Sequence, residues 1–125
     1  MKLDWHKIKG AKEAIDNPNS PVVSIYTYDS AEKTRRFGQN FKGGKAIFTE
    51  PEAPIKCGGA PQKILYLLTK EWQDKGINFQ SHFYKVGDTM FTVPKYSIAL
   101  DKYVKGYGIL PHFKNKLIEV KKDSQ

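Results

Sequence analysis

The residues best suited to chemistry lie in the stretch 55–63, which reads Ile-Lys-Cys-Gly-Gly-Ala-Pro-Gln-Lys and contains the only cysteine, Cys57. Cys57 follows an apolar run typical of a β-strand and precedes a stretch with helical periodicity. This order predicts a strand, a tight turn and a helix N-terminus, where unsatisfied amide groups carry partial positive charge. These amides, together with Lys56 and Lys63, would stabilise a thiolate, so the pattern predicts a reactive thiol.

The small residues of the turn agree with this placement. Gly58 and Gly59 allow a bound group to approach the backbone closely and allow positive φ angles. Pro61 suits the first helical turn, where the amide hydrogen that it lacks has no partner. The residues alone leave one alternative open, in which Cys57 is a buried small hydrophobic residue.

Length and charge limit the classes of protein. The 125 residues suffice for one domain with its own core, and the formal charge of +8 suits an acidic partner such as nucleic acid, an anionic membrane surface or small anions. A solvated basic surface is the alternative. A single cysteine excludes an intrachain disulfide, and no apolar run approaches the ~18 residues that span a membrane. The first residues contain neither a secretory signal nor a mitochondrial presequence.

Residues 1–44 are interpreted as an N-terminal connecting segment with two helices and a strand. The predicted elements are a short helix within 1–20, a strand over 22–27 and a helix over 31–41. Asp29 or Ser30 would cap the second helix. Its basic face, formed by Lys33, Arg35 and Arg36, is expected to be solvated.

Residues 45–125 are interpreted as a central α/β domain that resembles a second dinucleotide-binding domain and contains the cysteine. The predicted strands are 45–50, 78–85, 109–113 and 117–120, and the predicted helices are 61–75 and 94–107. Strands alternating with helices predict βαβ units and a parallel sheet. Ligands of such sheets bind at the carboxyl ends of the strands, where the Cys57 turn is expected to lie.

Other residues give weaker signals. His6, His82 and His112 are far apart in the sequence and lack the spacing of metal ligands, so no metal site is predicted. Glu50 and Glu52 precede the thiol; such residues are more often turn carboxylates than general bases. Aromatic residues fall at core spacing without an RNA-binding motif, so no nucleic-acid partner is predicted.

The string from Lys56 to Ile64 resembles the signature of sulfide:quinone oxidoreductases, although the usual family string has alanine where this chain has Gly58. These enzymes are FAD proteins of the glutathione-reductase-like class, which has two dinucleotide-binding domains. Further stretches agree in order and spacing, namely 3–5, 18–26, 45–49, 93–100 and 115–120. The resemblance covers nearly the whole chain and is closest to the eukaryotic, mitochondrial type.

The resemblance implies a function and roles for individual residues. The family oxidises sulfide through two cysteines, a persulfide and FAD, and passes electrons to quinone; the sulfur goes to an acceptor such as glutathione or sulfite. Cys57 matches the first cysteine and Lys63 a lysine beside the active site, where it would stabilise thiolate or acceptor anions. Gly58 and Gly59 would adjoin the cofactor. The implied location is the matrix face of the mitochondrial inner membrane.

Parts of the family pattern are absent from these residues. The sequence has no G-x-G-x-x-G for the FAD pyrophosphate, no second cysteine and no membrane-docking segment. The chain is therefore expected to be a central fragment of a longer protein, inactive in isolation and unable to retain FAD alone. The alternatives are a non-catalytic basic α/β binding module and a degenerate paralogue that keeps the fold.

Overall fold

The computed structural model describes residues 4–122 and divides them into two units. One unit comprises residues 42–116, and the other comprises 4–41 together with 117–122. The predicted division into functional segments 1–44 and 45–125 stays a prediction. None of the helices in the described residues is long and apolar enough to cross a membrane.

The larger unit is built on a three-stranded parallel sheet in the order β1-β2-β3. Its elements in chain order are β1 (Gly44–Glu50), α3 (Ala60–Asp74), β2 (Phe79–Lys85), α4 (Pro94–Gly106) and β3 (Leu110–His112). Every strand therefore returns to its neighbour through a helix. This confirms the predicted α/β class with βαβ units and a parallel sheet.

The sequence of α3 explains why it forms and where it packs. Pro61 occupies the first turn, and Gly76, with a φ of 67°, follows the helix end. Leu65, Leu68 and Trp72 recur at helical spacing and are buried. The buried stripe lies against the sheet, so α3 starts at a fixed place beside the carboxyl end of β1.

The core of this unit lies between the sheet and its helices. It consists of Leu65, Phe83, Met90, Val104 and Ile109, with Phe48 and Tyr66 among the half-buried residues packed around it. Burial of each large apolar side chain contributes about 1.5–3 kcal/mol. On the opposite side of β1, Ile47 is 61% exposed. The sheet is thus covered by α3 and α4 on the face that contains Phe83.

The smaller unit contains a short 3-10 helix (Trp5–Lys7), α1 (Ala11–Asp16) and α2 (Tyr28–Asn40). The two helices expected in the N-terminal segment are therefore present. The predicted cap of α2 is wrong, because Thr27 is the N-cap and forms a reciprocal capping box with Ser30. The helix accordingly begins before the predicted start at residue 31.

The strand predicted over 22–27 is wrong, and no strand precedes β1 within residues 4–122. Side chains replace the ladder partners that a strand needs. The hydroxyl of Ser20 accepts from the Val22 amide at 3.2 Å, and Thr34 Oγ1 donates to the Ser24 carbonyl at 2.9 Å. The segment is β-rich in composition, but these backbone groups bond to side chains of its own unit.

The prediction of a strand over 117–120 is also wrong. Among the described residues, this segment forms only an isolated parallel bridge, between Lys9 and Glu119. Val120 donates its amide to the Lys9 carbonyl at 2.8 Å, and the two bridged side chains form an ion pair at 2.8 Å. This short pairing joins the C-terminal segment to the N-terminal residues of the smaller unit.

The predicted solvated basic face of α2 is wrong for Lys33, which is only 9% exposed. Its Nζ donates to the carbonyl oxygens of Ala14, Ile15 and Val22 at 3.1, 3.0 and 2.7 Å. Burial, followed by repulsion from Arg36, lowers the pKa of Lys33. Arg35 and Arg36 are exposed, as predicted.

Candidate functional site

Cys57 lies in a turn immediately before α3 and is an exposed free cysteine. Its carbonyl accepts a hydrogen bond from the Ala60 amide at 3.3 Å, and Gly59 is the N-cap of the helix. The turn follows β1, so the thiol stands where the sequence analysis placed it. The alternative that Cys57 is a buried small hydrophobic residue is wrong.

The two glycines after Cys57 adopt ordinary backbone angles. Gly59 has a φ of −92°, and neither Gly58 nor Gly59 is among the positive-φ residues, so that part of the expectation is wrong. A Cβ at Gly58 would lie 3.6 Å from the Phe91 ring, which is normal contact, and a Cβ at Gly59 would meet nothing within 4 Å. The backbone at Gly59 is therefore open to a neighbouring group, and its predicted contact with a cofactor stays a prediction.

Lysines flank the thiol on both sides along the chain. Lys56 and Lys63 are exposed, and Lys63 belongs to the first turn of α3, where its amide donates to the Gly59 carbonyl at 2.9 Å. The N-cap of α3 is glycine, and no side chain within residues 4–122 forms a cap hydrogen bond there. The turn therefore combines a thiol, two cations and the positive end of a helix, a combination that stabilises anions.

A buried polar network, which the sequence analysis missed, lies behind this turn. Gln62 Nε2 and Lys85 Nζ both donate to the Met90 carbonyl, at 2.6 and 3.2 Å. Lys85 also pairs with Glu50 Oε1 at 3.1 Å, so Glu50 is an ion-pair partner rather than a turn carboxylate. The sequence contained one signal for this network, because the alternation of β2 places the charged Lys85 at an inward-facing position, where it needs a buried partner.

Tyr66 extends the network by donating its hydroxyl to Gln62 Oε1 at 2.8 Å. Burial, with smaller contributions from Asp101 and Tyr107, raises the pKa of Tyr66 to about 12. The hydroxyl therefore remains protonated, and able to donate, beyond its ordinary range.

A Tyr66→Phe variant tests this hydrogen bond. Because the pKa of Tyr66 is raised on folding, its stabilisation is complete below pH 10 and is lost as the pH rises toward 12. We expect the variant to be about 1 kcal/mol less stable at neutral pH, and the native chain to become the less stable of the two as the pH rises from 10 toward 12, because only the native chain must bury a phenolate there. Urea unfolding at a series of pH values measures this. Tyr103→Phe, at an exposed tyrosine, is the control; the same pH dependence in both would contradict the assignment.

Two histidines that are distant in sequence are adjacent in the structure. His82 Nδ1 lies 3.0 Å from His112 Nε2, and both rings stack with Tyr84. Burial, then Lys45 and His112, lowers the pKa of His82. The pair comes from neighbouring parallel strands, which sequence spacing cannot reveal. No group of three or more metal-ligating side chains occurs within residues 4–122.

Cys57 does not line either of two cavities found within residues 4–122. Within the described part of the chain, one cavity of about 330 Å³ lies at the C-terminal end of α3, lined by residues such as Gln73 and Tyr103. A second cavity, of about 610 Å³, lies in the smaller unit. The candidate site is an open turn on the surface of its unit.

Together the parallel sheet, the crossover helices and the open turn before α3 define part of a Rossmann-like α/β fold. The whole chain superposes with a TM-score of 0.74 on 32% of a chain in the cryo-EM structure of the Tetrahymena thermophila mitochondrial ATP synthase. At 21% sequence identity this likeness shows the fold alone. No family model matches the sequence.

The more specific similarity is to proteins named mitochondrial sulfide:quinone oxidoreductase. The chain is 43% identical to that of Dictyostelium discoideum over 128 residues and 38% identical to that of Mus musculus over 127, with all of this chain covered in both. It is 38% identical to that of Schizosaccharomyces pombe, with 94% of the chain covered. These similarities confirm the resemblance inferred from residues 56–64. The chain spans 27–28% of the length of these relatives.

Proposed function

We propose that this chain forms the central part of a sulfide:quinone oxidoreductase and that Cys57 is one of its two redox thiols. The observation behind the proposal is the agreement along the whole chain with three proteins of that name, at 38–43% identity. The exposed position of Cys57 before α3 supports it, because a reacting thiol must be accessible and stabilised as its thiolate.

The proposed chemistry uses the charges of the turn. Sulfide attacks a bridge between Cys57 and a second cysteine outside these residues, so that one sulfur becomes a persulfide and the other leaves as a thiolate. The N-terminus of α3 and Lys63 stabilise the anionic sulfur at Cys57. An acceptor such as glutathione or sulfite then removes the outer sulfur of the persulfide, and Lys63 would also attract this anionic acceptor.

The residues described do not suffice to hold FAD. The sequence lacks a G-x-G-x-x-G turn, and the Cys57 turn offers only an open backbone at Gly59 and the N-terminus of α3. We therefore assign the binding of the dinucleotide to other polypeptide, with Gly58 and Gly59 beside the cofactor. When bound there, FAD would accept two electrons from sulfur and pass them to quinone. The proposed location is the matrix face of the mitochondrial inner membrane.

A chimera tests the proposal. The 128-residue matching region of the Dictyostelium protein is replaced by this chain, and flavin content and sulfide-dependent reduction of a soluble quinone are measured. We expect stoichiometric flavin and clear activity in the chimera, and neither in the 125-residue chain alone. A chimera that retains flavin but does not reduce quinone would contradict the role of this region, and one without flavin would contradict its place in the fold.

A further inference from the structure

Lys85 is a charged side chain in an unusual position, at the inward-facing end of β2 with only 5% of the residue exposed. Burying an ammonium group is costly unless its donors are satisfied. Lys85 Nζ meets that condition by pairing with Glu50 Oε1 at 3.1 Å, across the register pair that ends β1 and β2, and by donating to the Met90 carbonyl at 3.2 Å. The lysine thus links the end of the sheet to the loop that follows it.

The Met90 carbonyl receives a second buried donor from the start of α3. Gln62, in the first turn of that helix and 4% exposed, donates through Nε2 at 2.6 Å. Tyr66 fixes the amide orientation by donating to Gln62 Oε1 at 2.8 Å. The Met90 side chain is itself fully buried in the core. The backbone at Met90 is therefore held between the end of β2 and the first turn of α3.

The next residue brings this anchor to the cysteine turn. The Phe91 ring lies 3.6 Å from the position that a Cβ would take on Gly58, the residue directly after Cys57. Thr89 Oγ1 donates to the Phe91 carbonyl at 3.0 Å, which fixes the backbone on the other side of Met90. Hydrogen bonds thus connect Lys85 to the Met90 backbone, and the ring of the next residue, Phe91, lies beside Gly58 in the Cys57 turn.

We propose that Lys85 is a positioning residue for Cys57, acting through the Met90 carbonyl and the Phe91 ring to hold the thiol before the N-terminus of α3. The geometry is independent of the enzyme's identity, but the chemical use of the positioned thiol rests on the proposed function. Lys85→Met removes the donor while keeping most of the side-chain volume. Lys85→Arg keeps a cation that can pair with Glu50 and donate to Met90.

The test measures the charge environment of Cys57 by alkylation of the isolated chain. Iodoacetate is an anion and iodoacetamide is neutral, so the ratio of their rates rises when cations and a helix N-terminus surround the thiol. We expect the native ratio to exceed that of N-acetylcysteine amide, to fall at least about threefold in Lys85→Met, and to be largely restored in Lys85→Arg.

Thr69→Val is the matched control, because Thr69 is also buried and its hydroxyl bonds at 2.9 Å to Ser81 of β2 instead of to the Met90 loop. It should lower stability and leave the rate ratio unchanged. An unchanged ratio in a folded Lys85→Met chain, or a native ratio no higher than that of the model thiol, would overturn the proposal.

If Lys85→Met does not fold, the double variant Glu50→Gln/Lys85→Met removes the unpaired carboxylate and is measured in its place. Failure of both to fold would make Lys85 a requirement for folding and would also overturn the positioning role. Because alkylation needs neither sulfide nor flavin, this result is independent of the chimera's activity. If the chimera is inactive but the isolated chain shows the expected fall of the alkylation ratio in Lys85→Met, only the proposed function is contradicted.

Discussion

Replacing Cys57 by serine in the chimera is expected to lower sulfide-dependent quinone reduction by about 10³-fold or more, because in the proposed mechanism Cys57 forms the covalent sulfur intermediate, and its loss removes that route. Serine preserves the size and the exposure of the side chain, but its oxygen cannot form the S–S bond that carries the sulfane sulfur. Flavin content should be unchanged, because Cys57 is exposed in a turn and contributes little to packing. Steady-state reduction of a soluble quinone measures the loss.

Glu52→Gln is the control for this prediction, since Glu52 is the nearby carboxylate that sequence alone left open as a base. It is exposed and pairs with Lys116 at 2.7 Å, and this hydrogen bond lowers the pKa of Glu52. A carboxylate held in its charged form by a surface lysine has no evident task at the thiol, so activity should stay within about twofold. If Cys57→Ser kept its activity, or Glu52→Gln lost it, the proposal would have assigned the chemistry to the wrong residue.

The sheet and its two crossover helices were predictable because local signals agree there. In α3, a proline in the first turn, an apolar stripe and a glycine after the end all indicate the same helix, and burial of Leu65 and Trp72 follows from that stripe. The alternation of strands and helices then leaves a parallel sheet as the simplest arrangement. The position of Cys57 follows directly, because a turn between a strand and a helix must lie at one edge of such a sheet.

The sequence-based predictions fail where contacts between residues distant in the sequence decide the structure. Residues 22–27 have strand composition, yet two of their carbonyl groups accept hydrogen bonds from the side chains of Lys33 and Thr34 in α2. These groups therefore need no neighbouring strand. β propensity describes a fit to a sheet and cannot say whether a sheet is available. The contact between His82 and His112 was missed for the same reason, because it depends on the order of β2 and β3.

In the candidate site, too, residues that are close in the sequence were easier to predict than residues that only the fold brings together. The thiol, the glycines and Lys63 all lie in the stretch 55–63, so the sequence alone could propose them, and their roles stay predictions. Gln62 and Lys85 meet only at the Met90 carbonyl, in a loop whose path no local pattern specifies. Glu50 was interpreted as a turn residue because its partner across the sheet depends on strand register, and register is set by the whole sheet.

Lys33→Met is expected to destabilise the smaller unit by about 2–4 kcal/mol, because two buried carbonyl groups and one half-buried carbonyl group lose their donor, at about 1–3 kcal/mol for each buried group, while relief of the buried charge offsets part of the loss. Two of these carbonyls, of Ala14 and Ile15, belong to the last turn of α1, whose terminal acceptors have no partners within the helix. The third, of Val22, lies in the segment without strand pairing. The last turn of α1 and the segment at Val22 should therefore open together.

Hydrogen exchange measures the loss locally, and Arg36→Met supplies the matched control. Arg36 lies one turn along the same helix and also donates to a backbone carbonyl, that of Pro18 at 2.7 Å, but it is exposed to solvent. Water can replace its hydrogen bond, so Arg36→Met should cost at most about 1 kcal/mol. Lys33→Met should speed exchange in α1 by about 30-fold to 1,000-fold, whereas β2 in the other unit should keep its protection. Equal losses of stability in Lys33→Met and Arg36→Met would contradict this prediction, because they would mean that the buried hydrogen bonds of Lys33 are worth no more than an exposed one.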